Sequence, residues 1–94
     1  MHASRALRDY IVSLLRHTRA DHRVELGASP RAGLLLLRAA KAHALIRGRD
    51  HALPDDVQVL AKPVLAHRLM LVPEAAGVDR SEVVTDAIAA TPAL

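Results

Sequence analysis

The residue whose type and position most suggest chemistry is Arg31, which follows Ser29 and Pro30. Serine can cap the free amides at a helix start, and proline in the first helical position loses no hydrogen bond, so this pair predicts a helix start. A positive side chain in the first turn opposes the helix dipole by about 0.3–1 kcal/mol. The arrangement becomes favourable if an anion binds there, because the amides and the guanidinium then converge on one phosphate. The alternative is a surface arginine paired with a nearby acid such as Glu25.

The sequence lacks the other parts of a nucleotide-hydrolysing site. It contains no Gly-x-x-x-x-Gly-Lys-Ser/Thr segment and no apolar strand that ends in paired acids for magnesium. Its four glycines are too scattered to build a phosphate-binding loop. We therefore expect that the chain does not hydrolyse ATP by itself and that it supplies one part of a composite site.

The six histidines raise the question of a metal site. None of them forms the i, i+4 pair through which two histidines on one helix would bind zinc. We therefore predict no metal site. For His67 and the neighbouring Arg68 we expect a structural role, in which they pack and hydrogen-bond either between helices or against a part of the composite site that this chain lacks.

A short basic stripe accompanies Arg31 along the same predicted helix. At about 100° per residue, Arg31, Arg38 and Lys41 fall within one arc of the helix surface. Three such charges usually form a solvated face, and no aromatic side chain is available beside them to stack on bases. We expect no nucleic-acid partner, although a small basic helical DNA-binding module and a plain protein-interaction module remain as alternatives.

The elements that must position these residues are predicted to be helices. Apolar residues at three- and four-residue steps favour a first helix with its buried stripe at Leu7, Tyr10, Ile11, Leu14 and Thr18. Pro63 is expected to divide a helix, because proline lacks an amide donor and clashes with the preceding turn. The predicted helices span residues 4–19, 30–47, 54–61, 62–70 and 80–90.

The segments between the helices carry their own signals. Val24 and Leu26 alternate with charged neighbours, which predicts an extended connector with both side chains pointing inward. Gly48 is expected to cap the second helix at its C-terminus, and Asp79 to cap the last helix at its N-terminus.

The composition agrees with a single helical domain. The chain has 94 residues, of which 51% are hydrophobic, and Tyr10 is its only aromatic residue. Alanine and leucine form helices well, whereas strands draw on aromatic and β-branched residues, so we predict an all-α bundle of four or five helices. The formal charge of +3 and the absence of cysteine identify no partner. With no signal-peptide or membrane-span pattern, we expect a cytoplasmic protein without a membrane partner.

Six segments of residues 5–72 resemble, in the same order, the C-terminal lid domain of MoxR-family AAA+ ATPases. The segment most specific for a site, residues 27–32 (GASPRA), resembles the family's sensor 2 motif. Two departures are His51 where the family usually has an aromatic residue and Leu53 where it often has threonine, which removes a capping hydroxyl before Pro54. The other five segments are residues 9–12 (DYIV), 18–19 (TR), 47–50 (RGRD), 54–57 (PDDV) and 65–69 (LAHRL).

The resemblance implies a role and a set of partners. It implies that residues 1–94 form one lid domain, that the nucleotide-binding core is absent from this chain, and that Arg31, with Ser29 and Pro30, contacts the γ-phosphate of ATP in the parent enzyme. ATP and magnesium are implied as cofactors of that parent, with none bound to this chain alone. The implied partners are the chain's own core domain, neighbouring subunits of a hexamer, and client proteins that often bear von Willebrand A domains. The implied activity is chaperone-like.

Overall fold

The computed structural model describes residues 4–92, which form four α-helices and a two-stranded sheet. The first helix, α1, spans Arg5–Ala20, and the hydroxyl of Ser4 accepts a hydrogen bond from the Leu7 amide at 3.1 Å. Every residue of the predicted apolar stripe is buried. The prediction of an all-α fold is confirmed, and the predicted start of α1 differs from the observed one by a single residue.

The second helix, α2, spans Pro30–Ile46 and begins at the predicted cap, where the Ser29 hydroxyl accepts a hydrogen bond from the Ala32 amide. Its small residues Gly33, Ala40 and Ala44 are buried against the neighbouring helices. The helix ends in the predicted way, because Gly48 adopts a positive φ of 80° that other residues rarely adopt.

The third helix, α3, spans Pro54–Leu65 without interruption, so the predicted division at Pro63 is wrong. A proline removes the hydrogen bond to the carbonyl four residues before it, and here that residue is the exposed Val59 in the middle of the helix. The helix ends at Leu65, two residues after Pro63, and a 3-10 turn at Ala66–Arg68 follows. The predicted separate helix over residues 62–70 therefore does not form.

A small antiparallel sheet replaces part of that predicted helix. Strand β1 spans Val24–Leu26 and pairs with strand β2, Met70–Leu71, with Leu26 opposite Met70. Val24 is buried, but Leu26 is 62% exposed, so the prediction that both side chains point inward is wrong for Leu26. The register of the pair contains a bulge between these two residues, which breaks simple alternation.

A second 3-10 turn, Pro73–Ala75, leads to the last helix, α4, over Arg80–Ala90. The carboxylate of Asp79 accepts a hydrogen bond from the Ser81 amide at 2.9 Å, as expected of an N-terminal cap. Helix α2 packs between α1 and α3, and α4 packs against both α1 and α3. None of the helices within residues 4–92 is long and apolar enough to cross a membrane.

Candidate functional site

Arg31 lies in the first turn of α2, and its side chain is exposed. The amides around it are accounted for one by one: Pro30 has none, Ala32 donates to the Ser29 hydroxyl, and the Gly33 amide donates to the Ser29 carbonyl. The Arg31 amide is one of the first-turn donors for which an α-helix has no internal acceptor. The start of α2 therefore carries, on one residue, an amide donor without a helical acceptor and an exposed guanidinium.

The ion pairs of residues 4–92 do not include Arg31. Their arginine members are Arg23 and Arg49, and Glu25 does not come within 4.0 Å of the Arg31 guanidinium. The alternative prediction, in which Arg31 forms a surface ion pair with Glu25, is therefore wrong. The charge of Arg31 is available to a ligand outside this chain.

Gly27 fixes the loop that leads into α2. A Cβ added to Gly27 would stand 2.9 Å from the Cα of Arg19 and still closer to its side chain. The end of a flexible side chain could move to relieve such a contact, but the backbone of Arg19 cannot. Only glycine therefore lets the loop lie this close to the end of α1. The glycine of the segment 27–32 is therefore explained by close packing of two backbone segments.

A surface depression of about 370 Å³ lies at the start of α2, and both Arg31 and Arg68 line it. Arg68 is also exposed, and its Nη1 donates a hydrogen bond to the Val64 carbonyl at 2.6 Å, near the end of α3. Val64 lies only four residues earlier in the chain and both His67 and Arg68 are exposed, so the predicted packing and hydrogen bonding between helices is wrong, and the sequence did not indicate that Arg68 lies near Arg31. The remaining lining comes from Leu26, Gly27, Ser29, Ala32 and Leu35.

The sheet explains why these two arginines, 37 positions apart in the sequence, line one depression. β1 leads directly into the loop before Arg31, and β2 begins two residues after Arg68. The amide of Val72 also donates to the Arg23 carbonyl at 2.9 Å, which extends the contact between the two segments. No local sequence signal identifies this pairing, because each strand is only two or three residues long.

A second polar cluster centres on Asp56, whose side chain is fully buried. Both Asp56 oxygens accept hydrogen bonds from Arg49, at 2.6 and 2.7 Å, and one also contacts Nδ1 of His43 at 2.6 Å. The Leu53 amide donates to the same carboxylate at 2.7 Å. The hydrogen bonds from Arg49 are the main reason that the pKa of Asp56 lies well below its usual range.

Asp56 stabilises the start of α3, where Leu53 supplies no capping hydroxyl. A carboxylate at the third position of a helix can bond back to the amide of the capping residue, and this half of a capping box is present at the start of α3. The buried ion pair therefore rigidifies the connection between α2 and α3. Asp56 does not face the depression at Arg31, and we assign it a structural role.

A third cluster joins the end of α1 to α4 through Arg23. Its guanidinium donates to Asp21 at 2.6 and 2.9 Å and to Asp86 at 2.8 Å. The side-chain hydrogen bonds from Arg23 lower the pKa of Asp21 to about 2. This cluster holds the residues just before β1, and thereby the approach to the Arg31 loop.

The other residues that the sequence suggested for a functional role do not come together in one site. Arg38 is exposed and Lys41 is half-buried on α2, and neither lines the depression. His67 is exposed, and His51 contacts Asp50 at 2.9 Å. Among residues 4–92, no three His, Cys, Asp or Glu residues come together in a group that could hold a metal ion.

Comparison with known proteins gives a consistent set of relatives. Residues 16–87 match the family described as the AAA lid domain. The uncharacterized protein YeaC of Bacillus subtilis is 47% identical over 73 residues, which cover 78% of this chain and 23% of that protein. The chaperone MoxR1 of Mycobacterium tuberculosis is 39% identical over 99 residues, which cover 95% of this chain and 26% of that protein.

A solved structure agrees with these matches in three dimensions. The crystal structure of a protein from Cytophaga hutchinsonii to which ATPase activity is ascribed superimposes with a TM-score of 0.90 and 30% identity. The superposition covers 98% of this chain and 31% of that protein. The chain thus spans about a quarter of the length of the curated relatives it matches and about a third of the solved one.

Proposed function

The chain belongs to the lid-domain family of MoxR-type AAA+ ATPases, and on that basis we propose that it is a sensor 2 module, which couples the nucleotide state of its parent ATPase to a change of conformation. Arg31 is the residue that we assign to the terminal phosphate of ATP, with Ser29 and Pro30 shaping the helix end that presents it. The parent would hold ATP and magnesium on its core domain. The lid alone would bind neither.

The observation that supports this proposal most directly is the exposed guanidinium of Arg31 at the start of α2, with which no carboxylate of residues 4–92 pairs. A planar guanidinium carries a permanent charge and can donate two parallel hydrogen bonds to one phosphate. In phosphoryl transfer, charge on the transferred group is stabilised by such donors. The loop before Arg31 packs closely against Arg19 and follows a strand paired with β2, so we propose that a force on the guanidinium is passed to α1 and to the sheet.

The wider proposal has two sources, the name of one relative for the chaperone-like role and the family resemblance for the ring and its clients. The name of the M. tuberculosis relative describes a chaperone, and we propose a chaperone-like role for the parent of this chain as well. The proposed assembly is a cytoplasmic hexameric ring in which the lid contacts its own core domain and a neighbouring subunit. The proposed clients are partner proteins, including proteins with von Willebrand A domains.

The test is a pair of variants in the full-length ATPase that carries this lid. Arg31→Ala should lower ATP turnover by about 100-fold, as loss of one preorganised donor to a transition state does. Arg38→Ala, on the same face of the helix but not among the residues that line the depression, should leave turnover unchanged. Both variants should unfold within about 0.5 kcal/mol of the unmodified 94-residue chain, because both side chains are exposed.

Two results would favour the other classes of function. If Arg31→Ala leaves ATP turnover intact, the lid acts as a protein-interaction module without a nucleotide role. If the isolated chain binds duplex DNA with an affinity that falls steeply as salt rises, the basic face of α2 is a nucleic-acid surface. Either result contradicts the proposal.

A further inference from the structure

Arg68 shares with Arg31 the depression at the start of α2, and no carboxylate of residues 4–92 pairs with either guanidinium. Two other arginines do form ion pairs with carboxylates of the same chain. Arg23 contacts Asp21 and Asp86, and Arg49 contacts Asp56. Two positive groups on one depression repel each other, and an anion between them would turn that repulsion into attraction.

The guanidinium of Arg68 is held in place while most of its donors stay available. One of its nitrogens donates to the Val64 carbonyl at 2.6 Å, near the C-terminal end of α3 where a positive charge is favoured. A guanidinium has five N–H donors, so this bond leaves the rest of the group for a ligand. Anchoring of this kind lowers the entropy cost of binding, because part of the side chain is already ordered.

We infer that Arg68 is a second phosphate-binding residue of the lid, which together with Arg31 grips the terminal phosphate of the nucleotide. This inference rests on the proposed function of Arg31 and adds a residue to the same site. The fit is chemical: two guanidiniums and the open amide at the start of α2 match an anion with several acceptor oxygens.

The two arginines come from different parts of the fold, which gives the second contact a consequence of its own. Arg31 belongs to α2, whereas Arg68 belongs to the 3-10 turn that follows α3. A phosphate held by both would join the start of α2 to the end of α3 across the edge of the β1–β2 sheet. Loss of the terminal phosphate would release both segments together.

The experiment measures nucleotide affinity in the full-length ATPase, with a non-hydrolysable ATP analogue and with ADP. Arg68→Gln removes the charge but keeps a donor for the Val64 carbonyl. It should weaken binding of the analogue by about tenfold, the loss of one charge-assisted hydrogen bond, and leave ADP affinity within about twofold. Arg68→Lys should recover most of the lost affinity, and Arg38→Gln serves as the matched control without an effect.

A structural role for Arg68 predicts a different pattern. If Arg68 only caps α3, Arg68→Gln should weaken the analogue and ADP equally, or leave both unchanged, and any loss should follow the free energy of unfolding of the 94-residue chain. Either pattern overturns the inference. Arg31→Ala in the same assay separates the two proposals: an effect of Arg31 without one of Arg68 removes only the second contact, whereas no effect of either removes the sensor assignment itself.

Discussion

Arg49 donates two hydrogen bonds to Asp56, from Nη1 to Oδ2 at 2.6 Å and from Nη2 to Oδ1 at 2.7 Å, and the carboxylate is fully buried. Arg49 lies in the connection after α2, and Asp56 lies in the first turn of α3. The pair therefore closes the connection between the two helices. Since α2 carries Arg31 at its other end, this closure fixes the helix on which the sensor arginine is mounted.

The first prediction concerns the stability of this pair. Asp56→Ala should lower the free energy of unfolding by about 3–5 kcal/mol, because it removes one partner of a buried ion pair and leaves Arg49 and the Leu53 amide without their acceptor. Asp55→Ala is the matched control. Asp55 is exposed in the same helical turn, so its loss should cost less than about 1 kcal/mol.

Urea unfolding of the 94-residue chain at neutral pH measures both values. Equal costs for the two substitutions would contradict the assignment of Asp56 as the buried acceptor.

The second prediction concerns the direction in which the free energy of unfolding changes with pH. The pKa of Asp21 is lowered from 3.8 to about 2 in the fold, and that of Asp56 is also lowered, in both cases chiefly by hydrogen bonds from an arginine. The unfolded chain therefore takes up these protons at a higher pH than the folded chain does. Stability from both groups is fully present above about pH 5 and is lost as the pH falls below about 4 toward 2.

Urea midpoints measured at a series of pH values test this direction. Asp21→Asn should make the urea midpoint fall less steeply at acid pH, since an amide does not take up a proton when the chain unfolds. A variant whose midpoint falls as steeply as that of the unmodified chain would show that Asp21 does not contribute.

The third prediction concerns the loop before the sensor arginine. Gly27→Ala should destabilise the chain by about 1–3 kcal/mol, because the new Cβ would overlap the Arg19 backbone and force the loop away from α1. In the full-length ATPase the same displacement should reduce turnover, although Arg31 itself is unchanged. Gly77→Ala is the control, since a Cβ at Gly77 meets nothing within 4 Å.

A stability loss in both glycine variants would point to a general intolerance of alanine. Loss at Gly27 alone supports the close approach of its loop to Arg19.

The parts of this fold that sequence predicted are local. The caps at Ser29 and Asp79 and the turn at Gly48 depend on one or two residues each, and all three are confirmed. The exposure of Arg31 at a helix start was likewise predictable from Ser29 and Pro30.

The features that the sequence did not reveal depend on contacts between residues that are far apart in the chain. The proximity of Arg68 to Arg31 requires the β1–β2 sheet, whose strands are too short to give a periodic signal. The buried position of Asp56 depends on Arg49 and His43, which lie outside its own helix, so no pattern within α3 indicates it. The predicted division at Pro63 was wrong for a further reason: Pro63 lies in the last turn of α3 and the helix ends two residues later, so little helix follows the proline.

The last prediction links the turn after α2 to the buried pair. With its φ of 80°, Gly48 allows the Arg49 amide to donate to the Ala44 carbonyl at 2.9 Å and the Gly48 amide to donate to Leu45 at 3.0 Å. These two bonds form a Schellman motif, which sends the chain back over the helix end and turns Arg49 toward Asp56. Gly48→Ala should therefore cost about 1–2 kcal/mol from the left-handed conformation alone, plus any weakening of the ion pair.

A double-mutant cycle separates these two costs. In the Asp56→Ala background only the conformational cost of Gly48→Ala remains, so the substitution should be less destabilising there than in the unmodified chain. Gly48→Asn should cost less than Gly48→Ala in both backgrounds, because asparagine tolerates the left-handed region better. Equal effects of Gly48→Ala in the two backgrounds would mean that the turn and the ion pair are independent, and that Arg49 reaches Asp56 without help from the glycine.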